Sequence, residues 1–194
     1  MTKLTKGLLL FIALLLPVLI FVFLKMFGSN KFDIPIFNHT EISQNVNCDD
    51  IQLPHLVKGI EGSLEPIKST SIVNIYHVMP MGISADELKG LMVVKDRLAE
   101  SDAVIHTIAV LDSATDITGL RQTYQIGGIW ELHEMPKDQL INSINCQLMI
   151  TGNESMVLVD KEGKIRGYYI GSDEEEIDRL ILESKILIYG NENG

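Results

Sequence analysis

The side chains best suited to metal or redox chemistry in this 194-residue sequence are one His-Met-Met group and two cysteines. His77, Met79 and Met81 lie in the stretch IYHVMPMG, and imidazole and thioether groups are ligands that Cu(I) accepts. Alternate residues of a strand share one face, but Pro80 ends the strand before Met81. The favoured interpretation is that His77 is an ordinary strand residue and that the methionines fill packing gaps. A copper site is the alternative.

Cys48 and Cys146 are the only thiols of the chain. Two cysteines are too few for a disulfide-rich scaffold or a four-cysteine zinc site. An oxidising compartment would favour a disulfide between them, but sequence gives no distance. No neighbouring residue indicates a low thiol pKa. The pair could therefore form a disulfide, remain as two free thiols, or act as a distant redox pair.

Charge and motifs exclude several classes of function. The formal net charge is −10, and the first 31 residues hold four of the 16 basic residues and no acid. The remainder holds 12 basic against 26 acidic residues, which is unsuited to binding nucleic acid because phosphates require clustered Lys and Arg. The sequence has no Gly-rich phosphate loop, nucleophile elbow or zinc-binding His motif.

An uncharged apolar run, GLLLFIALLLPVLIFVFL, covers residues 7–24. A helix of about 20 residues crosses the hydrocarbon core of a bilayer. Lys3 and Lys6 precede the run, so the positive-inside rule places the N-terminus in the cytoplasm. The alternative is a cleaved signal peptide, but the run is longer than a usual signal core and lacks an A-x-A site. We predict a cell-membrane protein with a cytoplasmic N-terminus (1–6), a transmembrane anchor (7–27) and a domain on the periplasmic, extracytoplasmic side.

Behind the anchor, the pattern predicts a linker and N-terminal extension over 28–70, with FDIPIF as a short strand, and one α/β domain over 71–190. Buried-strand and amphipathic patterns alternate from Ser71 onwards. A β-α-β unit followed by a hairpin and a covering helix is typical of a thioredoxin-like sheet flanked by helices. The predicted strands are 72–78, 103–110, 156–160 and 164–170, with GIWELH as another candidate. The predicted helices are 84–99, 116–127, PKDQLINSI and 173–188. The last helix should face the sheet with Ile177, Leu180, Ile181 and Ser184.

The stretch VLVDKEGKIRGYYIGSDEEEIDRLILESKILI (157–188) closely resembles the C-terminal part of Sco/SenC proteins. Phe32-Asp-Ile-Pro35 and the stretch VLDSATDITGLRQTYQIGG, with Asp112, Asp116 and Gly127 followed by Trp130, resemble the same family. The resemblance implies a membrane-anchored, thioredoxin-like domain of the copper chaperones that assemble cytochrome oxidase.

The copper ligands of that family are missing here. Its Cys-x-x-x-Cys motif aligns with Met79 and Ile83, or Ser84 after a one-residue shift, and its His aligns with Gly152. Thioether, alkyl and hydrogen cannot replace two thiolates and an imidazole. We therefore expect no bound copper, no other cofactor and, because the redox motif is absent, no enzyme activity.

Taken together, the sequence predicts a degenerate Sco-like protein that is a non-catalytic, partner-binding accessory factor related to respiratory oxidase assembly. Its partner would be a respiratory oxidase subunit or a ligand-competent Sco paralogue. Two alternatives stay open: a copper chaperone that uses His77, Met79 and Met81, and a thiol oxidoreductase that uses Cys48 and Cys146.

Overall fold

The computed structural model describes residues 3–27, 34–37, 48, 53–57, 70–79, 83–110, 119, 121–122 and 124–192. The chain divides into two compact units, Met1–Asp33 and Ile34–Gly194. The first unit contains helix α1 (Lys3–Phe27), which covers the apolar run and includes Pro17. No helix among the described residues is both long enough and apolar enough to cross a membrane.

The second unit is built on one five-stranded sheet with the order β3-β2-β1-β4-β5. Strands β1, β2 and β3 run parallel, and β4 is antiparallel to both β1 and β5. The four main predicted strands thus join one sheet, as the sequence predicts. The elements are β1 (Val73–Met79), α2 (Ala85–Leu98), β2 (Ala103–Val110), β3 (Trp130–Met135), α3 (Lys137–Asn142), a π-helix (Ser143–Gln147), β4 (Met156–Asp160), β5 (Ile165–Tyr169) and α4 (Glu174–Glu192).

Capping residues fix where the two long helices begin. The Ser84 Oγ accepts a hydrogen bond from the backbone N–H of Glu87 (3.1 Å) and so caps α2 at the start of the predicted helix 84–99. The Asp173 carboxylate accepts one from the backbone N–H of Glu175 (2.9 Å) at the start of α4. The predicted buried face of α4 is confirmed, since all four of its residues are buried: Ile177, Leu180, Ile181 and Ser184.

The two faces of the sheet are covered differently. We call the side packed against α2 and α4 the helix face; its core includes Ile75, Ile105 and Leu158 from the strands. We call the other side the short-helix face; its core joins strand residues such as Ile108 and Val157 to Leu140 of α3 and to Leu148. Because side chains alternate along a strand, each strand contributes to both cores.

Short pieces of the N-terminal extension lie against the β4–β5 hairpin. The Phe37 N–H donates to the Ile165 carbonyl (2.9 Å), and the Val57 N–H donates to the Gly163 carbonyl (2.7 Å). Gly163 has a φ of 83°, the left-handed conformation that glycine adopts without strain in this turn. Of the predicted FDIPIF strand, the described part forms a single bridge at Phe37. The predicted helix 116–127 is described only in part: residues 119, 121 and 122 are helical and 124–125 form a turn, while 116–118, 120 and 123 lie outside the described residues, as does Asp112.

Candidate functional site

Cys48 and Cys146 form a disulfide, with their Cα atoms 5.7 Å apart. Both residues are half-buried. Cys146 lies in the π-helix that follows α3, and Cys48 belongs to the N-terminal extension. The pairing that the sequence left open is therefore formed, and it joins two segments separated by 98 positions in the chain.

The backbone around Cys146 is irregular. The Leu148 N–H donates to the Ser143 carbonyl (2.9 Å), the i to i+5 bond that defines the π-helix. Met149 follows with a φ of 53°, which is uncommon for a residue other than glycine. The Gln147 Oε1 is buried and has no hydrogen-bond partner among the described residues. π-Helical turns and left-handed residues often accompany functional sites, so these features direct attention to the disulfide.

The positions that replace the Sco ligands are packing and turn residues. Met79, at the end of β1, and Ile83 pack together with Ala109 and Leu132 on the helix face. Gly152 lies in an exposed turn before β4, where its N–H donates to the Glu154 carboxylate (3.0 Å). These residues supply no thiolate or imidazole, and the absence of copper stays a prediction.

His77 is fully buried on the helix face, and both of its ring nitrogens have partners. Its Nδ1 lies 3.1 Å from the Thr107 Oγ1, and its Nε2 lies 3.2 Å from the Glu87 Oε1. The hydrogen bond from His77 holds the pKa of the Glu87 carboxyl below its usual value, although burial of the carboxyl opposes this. The Trp130 Nε1–H donates to the same Thr107 Oγ1 (2.8 Å). The alternative copper site of His77, Met79 and Met81 stays a prediction, because Met81 lies outside the described residues.

A second group of polar side chains was assigned only to strands from the sequence. His106 of β2 and Glu131 and His133 of β3 bring two imidazole nitrogens and one carboxylate oxygen together on the short-helix face. A signal was present, because Glu131 and His133 are two residues apart and must share a face in a strand. Their meeting with His106 depends on the register between β2 and β3, which sequence alone does not give.

No family model matches the sequence, and no curated protein matches it significantly. Solved structures do share the fold. The thioredoxin domain of a thiol-disulfide oxidoreductase from Bacteroides vulgatus is 15% identical, with a TM-score of 0.52 over 72% of this chain and 99% of that one. A thiol:disulfide interchange protein from Bacteroides sp. is 16% identical, with a TM-score of 0.51 over 70% and 90%.

A SCO1/SenC family lipoprotein from Bacillus anthracis is also similar, at 12% identity and a TM-score of 0.49 over 70% of this chain and 99% of that one. At these low identities, the two likenesses with TM-scores above 0.5 establish the thioredoxin-like α/β fold alone. The thioredoxin-like part of the predicted fold is therefore confirmed, and its assignment to Sco stays a prediction.

The prediction that the chain is not an enzyme is wrong. It rested on the absence of a Cys-x-x-x-Cys motif, which we took to mean that no dithiol exists. Cys48 and Cys146 nevertheless meet in space as a disulfide, and thiol-disulfide oxidoreductases are among the solved structures with this fold. Local spacing was the wrong criterion, because a pair of thiols distant in sequence is the same two-electron redox couple once the fold brings it together.

Proposed function

We propose that this protein is a thioredoxin-like thiol-disulfide oxidoreductase whose exchanging group is the Cys48–Cys146 disulfide. The observation that carries the proposal is the disulfide itself, formed between the π-helix and the N-terminal extension. Both cysteines are half-buried, so a thiolate of a partner can approach without unfolding of the core. The fold shared with thiol-disulfide oxidoreductases is consistent with this role.

The reaction needs only thiols of a partner protein. A partner thiolate attacks one sulfur of the disulfide, forms a mixed disulfide and releases the other cysteine as a thiolate, which takes up a proton. A second partner thiol then loses its proton and attacks the mixed disulfide. The partner leaves oxidised to a disulfide, and Cys48 and Cys146 are reduced by two electrons to thiols. The same steps in reverse reduce a partner.

The reduction potential tests this function directly. The purified chain is equilibrated in glutathione or dithiothreitol buffers, and the free thiols are counted by alkylation and mass spectrometry. Oxidoreductases of this fold lie between about −270 and −120 mV, whereas structural disulfides of secreted proteins lie below about −300 mV. We expect a value in the first range. A value below about −300 mV would identify a structural disulfide and refute the proposal.

Trapping of an intermediate gives a second test. In the Cys146→Ser chain, the Cys48 thiolate should attack a model peptide that carries a disulfide, release one peptide sulfur as a thiol and stay joined to the other as a mixed disulfide, because the chain has no second thiol to resolve it. The Cys48→Ser/Cys146→Ser chain is the matched control and should trap nothing. Equal labelling of both chains would show that the cysteines do not exchange.

We also propose attachment to the membrane through the apolar sequence near the N-terminus, with the domain on the extracytoplasmic side. The proposal is supported by the uncharged run of residues 7–24 and by the disulfide, because disulfides persist in oxidising compartments. The protein should stay with membranes in alkaline carbonate, and protease added to spheroplasts should digest the domain. Release by carbonate, or a protected domain, would contradict it.

The partner is proposed from the resemblance over 157–188, which forms β4, β5 and α4. We infer a role related to assembly of a respiratory oxidase, with a thiol of an oxidase subunit or of a ligand-competent Sco paralogue as the exchange partner. Copper is not part of the proposal, because Met79, Ile83 and Gly152 offer no thiolate or imidazole. In the Cys146→Ser chain expressed in the cell, the Cys48 thiolate should attack a disulfide of such a subunit and remain linked to it as an adduct. Adducts with unrelated proteins alone would exclude this partner.

A further inference from the structure

His106, Glu131 and His133 lie on one face of two neighbouring parallel strands. The register pairs His106 with Glu131 and Ile108 with His133, so all three side chains project from the short-helix face. β3 lies at the edge of the sheet, and the group is therefore next to solvent. The exposed fraction of the side chain rises from 2% in His106 to 18% in His133 and 52% in Glu131.

The three ligand-type atoms form a nearly equilateral triangle. His106 Nδ1 lies 3.2 Å from His133 Nε2 and 3.4 Å from Glu131 Oε2, and the last two atoms are 3.3 Å apart. A tetrahedral Zn²⁺ with bonds of about 2.0–2.1 Å holds its ligand atoms about 3.3–3.4 Å apart. An octahedral ion with bonds of about 2.1 Å would hold them about 3.0 Å apart. The triangle therefore fits one face of a tetrahedron.

Hydrogen bonds fix which nitrogen of His106 carries the proton. The Asn74 Nδ2 donates to the Ser71 carbonyl oxygen (3.2 Å), so the Asn74 Oδ1 accepts from the His106 Nε2–H (3.2 Å). The His106 Nδ1 then carries a lone pair, and that lone pair is directed into the triangle. A ligating histidine whose other nitrogen donates to a fixed acceptor is the usual arrangement around protein-bound metals.

The surroundings of His106 hold its ring in place. The Tyr76 ring stacks on the His106 ring, with the centroids 5.0 Å apart and the planes 25° apart. This stacking and the Asn74 hydrogen bond together fix the orientation of the ring.

Without a cation, the triangle contains two acceptors, the lone pair of His106 and the Glu131 carboxylate. Only His133 could then donate a proton to them. We propose that His106, Glu131 and His133 form a binding site for one Zn²⁺ ion, with a fourth position open to solvent beside Glu131. Two imidazoles and a carboxylate with an open position are a ligand set of zinc sites. The acidic chain also raises the local concentration of cations.

The test uses the full oxidised chain in detergent, stripped of metal with a chelator, and titrated calorimetrically with Zn²⁺ alone. We expect one equivalent to bind. Glu131→Gln is the principal variant, because its side chain is half-exposed and the change should not affect folding; we expect its Kd to rise about 100-fold. Glu134→Gln, on the same strand but on the opposite face, is the matched control and should bind as the unmodified chain does.

Further variants separate ligands from supporting residues. His133→Ala should also raise the Kd about 100-fold, and Asn74→Ala should raise it about 10-fold, as expected for loss of a partner that orients a ligand. The Cys48→Ser/Cys146→Ser chain should bind normally, since the site is independent of the disulfide. Thermal melting without metal identifies any variant that fails to fold.

Three results would overturn the proposal. They are the absence of stoichiometric Zn²⁺ binding, unchanged affinity in both Glu131→Gln and His133→Ala, and equally tight binding of Mg²⁺. The last would indicate an acidic surface, because Mg²⁺ prefers oxygen ligands and not imidazole.

Discussion

On the helix face of the sheet, the ring nitrogens of the buried His77 meet a hydroxyl and a carboxylate, whereas on the short-helix face those of His106 meet the Asn74 amide on one side and both the His133 imidazole and the Glu131 carboxylate on the other. Both histidines lie on the two central parallel strands and both are almost fully buried. The first arrangement places a single polar partner at each ring nitrogen, and the second gathers three ligand-type atoms in a triangle that a cation would hold together. The chemical role of a buried histidine therefore depends on which groups its second ring nitrogen contacts.

The layers that cover the two faces differ as well. The helix face is packed against α2, with 14 residues, and α4, with 19. The short-helix face has α3, with six residues, and the five-residue π-helix that carries Cys146. The disulfide and the His-Glu-His triangle thus both belong to the more thinly covered side, where external groups can reach them.

Thr107→Val tests the satisfied side and should have the largest effect. The substitution keeps the shape but removes the hydroxyl that partners both His77 Nδ1 and Trp130 Nε1. Two buried groups left unsatisfied cost about 1–3 kcal/mol each, so we expect the free energy of unfolding to fall by about 3 kcal/mol in urea denaturation. Thr107→Ser, which retains a hydroxyl, is the control. A loss below about 1 kcal/mol would show that water replaces the hydroxyl, and the contrast between the faces would then fail.

Zn²⁺ tests the other side. At 100 times its Kd, a ligand that binds only the folded state raises the free energy of unfolding by about 2.7 kcal/mol. We expect that gain for the unmodified chain and for Thr107→Ser, and only about 0.4 kcal/mol for Glu131→Gln, whose Kd should be about 100-fold higher, as measured by thermal melting with and without the metal. An equal gain in Glu131→Gln would place the ion elsewhere.

Reduction of the disulfide should have a smaller effect than its loop length suggests. Closing a loop of about 100 residues contributes up to about 4.7 kcal/mol in the chain-entropy model. A disulfide that stabilises the fold has a lower reduction potential, by about 30 mV for each 1.4 kcal/mol. A disulfide that exchanges readily must therefore stabilise the fold by less. We expect a loss of about 2 kcal/mol on reduction, measured by urea denaturation against the Cys48→Ser/Cys146→Ser chain. A loss of the full 4.7 kcal/mol would favour a purely structural bridge.

Glu87→Gln should have the smallest effect and should change the pH dependence. The folded-state pKa of Glu87 is lowered, chiefly by its hydrogen bond with His77, so its contribution to stability is present above the unfolded pKa of about 4.3 and is lost as pH falls through the folded value. We expect a loss of about 1.5 kcal/mol at pH 7 and a shallower decline below pH 4.5. Asp86→Asn, an exposed neighbour on α2, is the control. Parallel pH profiles for Glu87→Gln and the unmodified chain would contradict this.

The elements were accessible from the sequence because each depends on local pattern. The alternation over 72–78 gave β1 within one residue at each end, and the cap at Ser84 gave the start of α2. The buried face of α4 followed from helical spacing alone, and its outward Leu182 is 60% exposed. Burial pattern and capping depend only on neighbouring residues, so both can be predicted without knowledge of the remaining fold.

The sites were less accessible because they depend on contacts between distant segments. Nothing near Cys48 or Cys146 indicates that they meet, since their approach depends on where the extension lies against the domain. His106 and His133 were correctly placed in strands, but a shift of one residue between β2 and β3 would have put them on opposite faces. The spacing of residues within one segment cannot predict the contact between the two cysteines or the one between the two histidines.

The position of β1 at the centre of the sheet has a consequence for synthesis of the chain. Its partner strand β4 pairs His77 with Met156, 79 residues later in the sequence. Because translation adds about 5–20 residues per second, one edge of β1 stays unpaired on the ribosome for about 4–16 s before β4 has been made. All seven residues of β1 are buried in the finished sheet and none is an acid or a lysine, so the unpaired edge belongs to a strand without charged gatekeepers and is prone to pair with other chains. We expect the nascent domain to depend on a holding chaperone until β4 emerges.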